Sequence, residues 1–69
     1  MPFITVQWTE NDVKKTGKVF CEGPEDDPEN LKKRIHDKTG ILPKHQVFSV
    51  NIDYIIMGIR NNVFVSSNQ

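Results

Sequence analysis

The stretch that decides the fold runs from Glu22 to Pro43 and reads EGPEDDPENLKKRIHDKTGILP. Asp27 is a good helix N-cap, because its carboxylate accepts hydrogen bonds from the free amides of the first turn. Pro28 follows at the first helical position, where its missing N–H costs nothing. Gly40 fits the left-handed residue that closes a helix, and the proline three residues later prevents its resumption. The stretch therefore predicts a helix over residues 28–39.

The charges of this helix follow its dipole. Acidic residues precede it and open it, and basic residues come later, as the dipole prefers. Only Leu31 and Ile35 form an apolar stripe along its body, extended by Ile41 beyond its end. A stripe this narrow is typical of a helix that touches one neighbouring layer. We therefore interpret most of the charges as the solvated back of a helix lying on a sheet.

Alternating residues before the helix predict two strands. In Phe3–Thr9, FITVQWT, the side chains of Ile4, Val6 and Trp8 share one face, and β-branched and aromatic residues dominate. The polar stretch TENDVKKTG then predicts a long charged hairpin loop, followed by a second strand over Lys18–Glu22.

After the helix, HQVFSVNI alternates again, with Phe48 and Val50 on one face and Val47 and Ser49 on the other. Residues 63–65, VFV, form a last strand. The stretch 54–59, YIIMGI, fits either a strand or a buried, partly helical crossover, because periodicity does not separate the two. The order predicts an α+β domain over residues 1–66, with one helix packed across a mixed sheet and a frayed tail over 67–69.

The composition limits the possible functions. The 69 residues are 36% hydrophobic and 26% charged, which is typical of one small globular domain. Nine basic residues balance nine acidic ones, so the net charge favours neither a nucleic-acid nor a membrane partner. A single cysteine, Cys21, favours an intracellular location, cytoplasmic or nuclear.

The sequence assembles no catalytic or metal constellation. A catalytic thiol at Cys21 would require a base and an orienting group, and neither can be located; a small buried residue is the expected role. His36 and His45 lack the spacing of zinc ligands relative to Cys21. The acidic cluster of residues 25–29 is explained by helix capping. We expect no enzyme, no cofactor and no small-molecule substrate.

The same residues carry a resemblance to ubiquitin and the ubiquitin-like proteins. The approach Pro24-Glu25-Asp26, the helix body ENLKKRI, the exit DKTGI and the proline after it match that family in type and spacing. Gln46 falls at a position usually taken by a partly buried glutamine, and Tyr54 falls at that of a structural tyrosine. The resemblance is specific over Pro24–Val50.

The resemblance implies a β-grasp fold, in which the first and last strands lie side by side and parallel. The chain departs from the family pattern in a first hairpin loop longer by roughly five residues, and in the lack of roughly ten residues between Val50 and Asp53. It ends in Ser-Ser-Asn-Gln without a diglycine. Conjugation through a C-terminal glycine is therefore not expected of this polypeptide.

The resemblance also implies a non-catalytic module that binds a protein through its exposed sheet face. Ser49 then occupies the centre of the family's apolar patch, and Val47 replaces a basic neighbour. The expected contact residues are Val47, Ser49, Phe3, Phe64 and Lys44, with Trp8 added if its strand face points outward. The alternative is a small stand-alone regulator, viral or phage-type, that inhibits a host protein.

Overall fold

A computed structural model describes residues 2–68 and shows four strands, two helices and one turn of 3-10 helix. The strands stand in the spatial order β2-β1-β4-β3; β1 and β4 are parallel, and the other two pairs are antiparallel. The predicted α+β domain with a mixed sheet and a helix is therefore confirmed. The elements in chain order are β1 (Phe3–Glu10), β2 (Val13–Phe20), α1 (Pro28–Thr39), the 3-10 turn (Pro43–His45), β3 (Gln46–Phe48), α2 (Ile52–Ile56) and β4 (Asn62–Ser67).

Helix α1 begins and ends where the sequence predicts. The Glu29 N–H donates to Asp27 Oδ1 over 2.9 Å. Gly40 is left-handed, with φ of 81°, and its N–H donates to the carbonyl of His36. Leu31 and Ile35 are fully buried against the sheet. The narrow stripe is therefore sufficient to dock the helix.

The core fills the space between α1 and one face of the sheet. Ile41, Phe48 and Val50 are only partly buried and lie at its border. Trp8 faces inward and is 5% exposed, so it does not belong to the outer surface. The buried apolar residues are Ile4, Val6, Trp8, Val19, Cys21, Leu31, Ile35, Ile55, Ile56, Val63 and Val65.

The first hairpin corrects the sequence prediction. A two-residue turn, Asn11 and Asp12 with φ of 51° and 64°, joins the strands, and β2 begins at Val13. The predicted long loop is therefore wrong, and the second strand, predicted over Lys18–Glu22, begins earlier and ends at Phe20. The reason is that β2 is an edge strand with one open face, so a polar stretch can occupy it without burying charge.

The segment left open between strand and helix forms α2. The Asn51 side chain caps it by accepting from the Asp53 N–H over 2.9 Å. Gly58, with φ of 81°, ends the helix; its N–H donates to Ile55 O, and the Ile59 N–H reaches back to Tyr54 O. This pair of hydrogen bonds is the Schellman arrangement, which closes a helix on a left-handed glycine.

Strand β4 continues through Ser66 and Ser67, which pair with Val47 and Gln46 of β3. The next N–H, of Asn68, donates to the carbonyl of His45 over 3.0 Å. Of the residues that the sequence assigns to a frayed tail, Ser67 thus pairs with β3 and Asn68 with the 3-10 turn. Gln69 lies outside the described residues.

Candidate functional site

The sheet face opposite α1 is a surface built from regular strands. Because side chains alternate along a strand, inward Ile4, Val6 and Trp8 direct their neighbours to the other side. We call this surface the open face. The pairing registers place on it Phe3, Thr5, Gln7 and Thr9 of β1, Lys14, Thr16, Lys18 and Phe20 of β2, Asn62, Phe64 and Ser66 of β4, Val47 of β3, and Ser49.

One row of side chains crosses the sheet, from the residue after β3 to β2: Ser49, Phe64, Gln7 and Thr16. The Ser49 N–H donates to Phe64 O, and the Phe64 N–H donates to Ser49 Oγ; each donor–acceptor distance is 3.0 Å. Two bonds therefore fix Ser49 on β4. Its hydroxyl oxygen is used as an acceptor, which leaves the O–H free to donate outward.

The structure places four of the five predicted contact residues on the open face, in two groups. Val47, Ser49 and Phe64 lie together on its β3–β4 side, where Val47 is 44% and Phe64 37% exposed. Phe3 stands at the other end, packed edge-to-face on Phe20 with ring centroids 6.2 Å apart. The fifth residue, Lys44, is exposed in the 3-10 turn before β3 and is not a strand residue of this face.

A shallow hollow of about 230 Å³ lies beside Phe64. It forms where the β1–β2 hairpin continues beyond Gln7 and Phe64, the last pair that joins β1 to β4. The sequence analysis did not include Lys14 and Lys18 among the contact residues, because only the hairpin register shows that both share the open face. The hollow is lined by Gln7, Trp8, Lys14, Lys15, Thr16 and Phe64.

A second hollow, of about 400 Å³, lies at the outer edge of β2 against α1. Arg34 crosses this edge: its Nη1 donates to Phe20 O over 2.8 Å and to Asp26 Oδ2 over 2.9 Å. The Arg34 hydrogen bond lowers the pKa of Asp26 from 3.8 to about 2, although burial of the carboxylate opposes the shift. Both charges are thus engaged in holding the fold.

A separate apolar cluster lies at the end of α2, away from the predicted residues. Tyr54, Met57 and Ile59 are 50%, 57% and 60% exposed. Tyr54 and Ile59 are neighbours because the helix-closing bond joins them. The Tyr54 side chain, to which the resemblance gives a structural role, is thus half in solvent.

The described part of the chain holds no group of three His, Cys, Asp or Glu side chains close enough to bind a metal ion. Cys21 is buried at 4% exposure, and its N–H donates to the carbonyl of Pro2. Between residues 2 and 68, neither helix has the length and apolar character required to cross a membrane.

Comparison of the chain with protein-family models, with curated proteins and with solved structures finds no match. The geometry of the open face is therefore the basis for assigning a function.

Proposed function

We propose that this protein is a non-catalytic, intracellular interaction module of the ubiquitin-like, β-grasp kind, which binds a partner protein through its open face. The observation that carries the proposal is the pair of exposed apolar side chains, Val47 and Phe64, around a hydrogen-bonded Ser49. Interface centres are enriched in aromatic side chains, and Phe64 is an exposed aromatic side chain of this face.

Two features support the β-grasp part of the proposal. The first and last strands lie parallel in the middle of the sheet, and α1 covers one side of it. Gln46 is partly buried, and its Nε2 donates to Lys32 O and to Ile41 O, each at a distance of 2.9 Å. This glutamine joins the helix, its exit and β3, and its partial burial agrees with the position that the resemblance gives it.

The open face is suited to binding because its backbone is already ordered by the sheet. A partner that docks on strands has less conformational entropy to remove than one that docks on a loop. The small hydroxyl of Ser49 is a weaker anchor than a large aliphatic side chain. We therefore expect poor affinity for classical ubiquitin receptors and a dedicated partner that contacts Val47 and Phe64.

The proposal is tested with a charge placed on the open face. Val47→Arg is preferred to a substitution of Ser49, because the Ser49 hydroxyl accepts the Phe64 N–H. Met57→Arg is the matched control, since Met57 is also an exposed apolar residue but lies at the end of α2. Both variants should unfold within about 0.5 kcal/mol of the parent chain, as surface substitutions usually do.

The tagged parent and both variants are used to capture proteins from a lysate of the source cells, and bound proteins are identified by mass spectrometry. We expect a partner that the parent and Met57→Arg retain and Val47→Arg loses. Loss with Met57→Arg alone would assign binding to the cluster of Tyr54, Met57 and Ile59 instead. Equal capture by all three proteins would also contradict the proposal.

A further inference from the structure

The chain has zero net charge, but its charged side chains are unevenly distributed over its surface. Within the described residues, every side chain of the open face is neutral except Lys14 and Lys18. The face therefore carries two positive charges and no negative one, although the whole chain holds nine of each sign.

The nine acidic residues lie outside the open-face positions. Glu10 alternates to the α1 side of the hairpin, and its Oε2 lies 3.1 Å from Nζ of Lys15, which also lines the hollow beside Phe64; this hydrogen bond lowers the pKa of Glu10. The remaining eight lie in the hairpin turn, in the stretch before and into α1, on α1 and on α2: Asp12, Glu22, Glu25, Asp26, Asp27, Glu29, Asp37 and Asp53.

Lys14 stands beside the apolar part of the face, and Lys18 lines the hollow between β2 and α1 with Arg34 and Asp37. Lys14 lines the hollow next to Phe64, together with Gln7 and Thr16. Lys18 follows four residues later on the same side of β2, so the two Cα atoms are about 13 Å apart in an extended strand. An apolar side chain in the hollow would therefore have a positive charge on its β2 side.

We infer that the occupant of the open face, which rests on the function proposed above, is an extended acidic segment of a partner protein. Its carboxylates would stand four residues apart, opposite Lys14 and Lys18, with an apolar side chain between them directed into the hollow beside Phe64. Opposite charges across an interface attract, and they also orient the incoming segment.

Other occupants fit the face less well. A second copy docked face to face would bring Lys14 and Lys18 against a surface without carboxylates. A single-stranded nucleic acid is held by neutralising several phosphates, whereas this face offers two lysines on a chain of zero net charge. An acidic protein segment needs only the two charges and the apolar hollow that are present.

The inference is tested with a synthetic peptide, acetyl-Thr-Asp-Thr-Leu-Thr-Asp-Thr-amide, titrated into the ¹⁵N-labelled chain at low salt. A peptide with both Asp replaced by Asn is the first control. We expect shifts at the amides of Gln7, Thr16 and Phe64, and binding of the Asn peptide weaker by about threefold or more, because each exposed ion pair contributes modestly.

Matched protein variants separate local from overall charge. Lys14→Gln with Lys18→Gln should reduce binding by a similar factor of about three. Lys32→Gln with Lys33→Gln on α1 removes the same amount of charge and should change the peptide affinity little. Equal loss with both variants would overturn the inference, since overall charge would then account for binding.

Two further outcomes would also overturn it. If the Asp and Asn peptides shift the open-face amides equally, apolar contact alone directs binding. The open face would then still be the docking surface, but it would have no preference for acidic segments. If a dT₁₂ oligonucleotide shifts the same amides at lower concentration than the Asp peptide, the face binds nucleic acid. In both cases, the Val47→Arg capture experiment still decides separately whether the open face binds a protein.

Discussion

Asp26 shows how much a single buried charge determines in this protein. Its side chain is 2% exposed and accepts from Arg34 Nη1 and Nη2 and from the Glu22 N–H. The Arg34 guanidinium also lies over the Phe20 ring, with Cζ 5.3 Å from the centroid. These contacts join the loop before α1, the helix itself and the end of β2. A residue expected to serve the helix dipole is therefore an anchor of the tertiary structure.

The pKa of Asp26 predicts the pH dependence of stability. Because the folded pKa, about 2, lies below the ordinary 3.8, the contribution is present above about pH 4 and is lost as the pH falls towards 2. Its size at neutral pH is about 2 kcal/mol. Asp26→Asn should lose about that amount at pH 7 in urea unfolding, and the difference from the parent should shrink steadily below pH 4.

Asp27→Asn is the control for this experiment, because asparagine caps a helix as well as aspartate does and Asp27 is exposed. Its stability should follow the parent chain at every pH. A loss for Asp26→Asn that is the same at pH 7 and pH 2 would contradict the assigned cause.

Helix α1 is held by its tertiary contacts, because a helix of 12 residues is marginal in isolation. Leu31 and Ile35 enter the core at full burial, while Lys33 and Asp37 remain in solvent on the other side. The Lys38 stem lies over Gly17 of β2, where an added Cβ would approach its Cδ to 3.1 Å. The end of the helix therefore rests on the sheet through a charged residue as well.

Leu31→Ala should destabilise the domain by about 2–5 kcal/mol, because it leaves a cavity between α1 and the sheet. Small domains have total stabilities of about 5 kcal/mol, so much of the population should unfold. Leu42→Ala removes the same atoms from a side chain that is 42% exposed, and it should cost about 0.5 kcal/mol or less. Equal shifts of the two denaturation midpoints would show that α1 does not cover the core.

At the scale of the whole molecule, the sheet joins the two ends of the described chain. The Thr5 N–H donates to Asn61 O over 2.8 Å, and Val6 pairs with Val63 and is fully buried. This parallel pair joins strands that are separated in the sequence by β2, α1 and α2. We therefore expect one cooperative unit rather than a hairpin that is stable alone.

Native-state hydrogen exchange measures this cooperativity. The amides of Thr5 and Gln7, which face β4, should exchange only through global unfolding, with the same denaturant dependence as the amide of Ile35 in α1. The Lys18 amide is the internal control, because the hairpin register directs it to the free edge of β2, and it should exchange fast. Thr5 exchanging at a much lower free energy than Ile35 would show that the strand pair opens separately.

The sequence by itself determined the elements whose signals are local. The cap at Asp27, the left-handed Gly40 and the spacing of Leu31 with Ile35 fix α1, because each depends on residues within a few turns. The alternation of β1 likewise fixes which of its side chains are buried.

The tertiary structure alone decided what depends on pairing between distant segments. The tight turn at Asn11 and Asp12 could not be predicted from the sequence, because the polar stretch after it has no strand pattern. An edge strand with an open face needs few apolar residues. The stretch that forms α2 fits strand or helix locally, and burial of Ile55 and Ile56 with closure at Gly58 accompanies the helical form. The candidate site depends on register in the same way, because only the pairing of four strands places Lys14 and Ser49 on one face with Phe64.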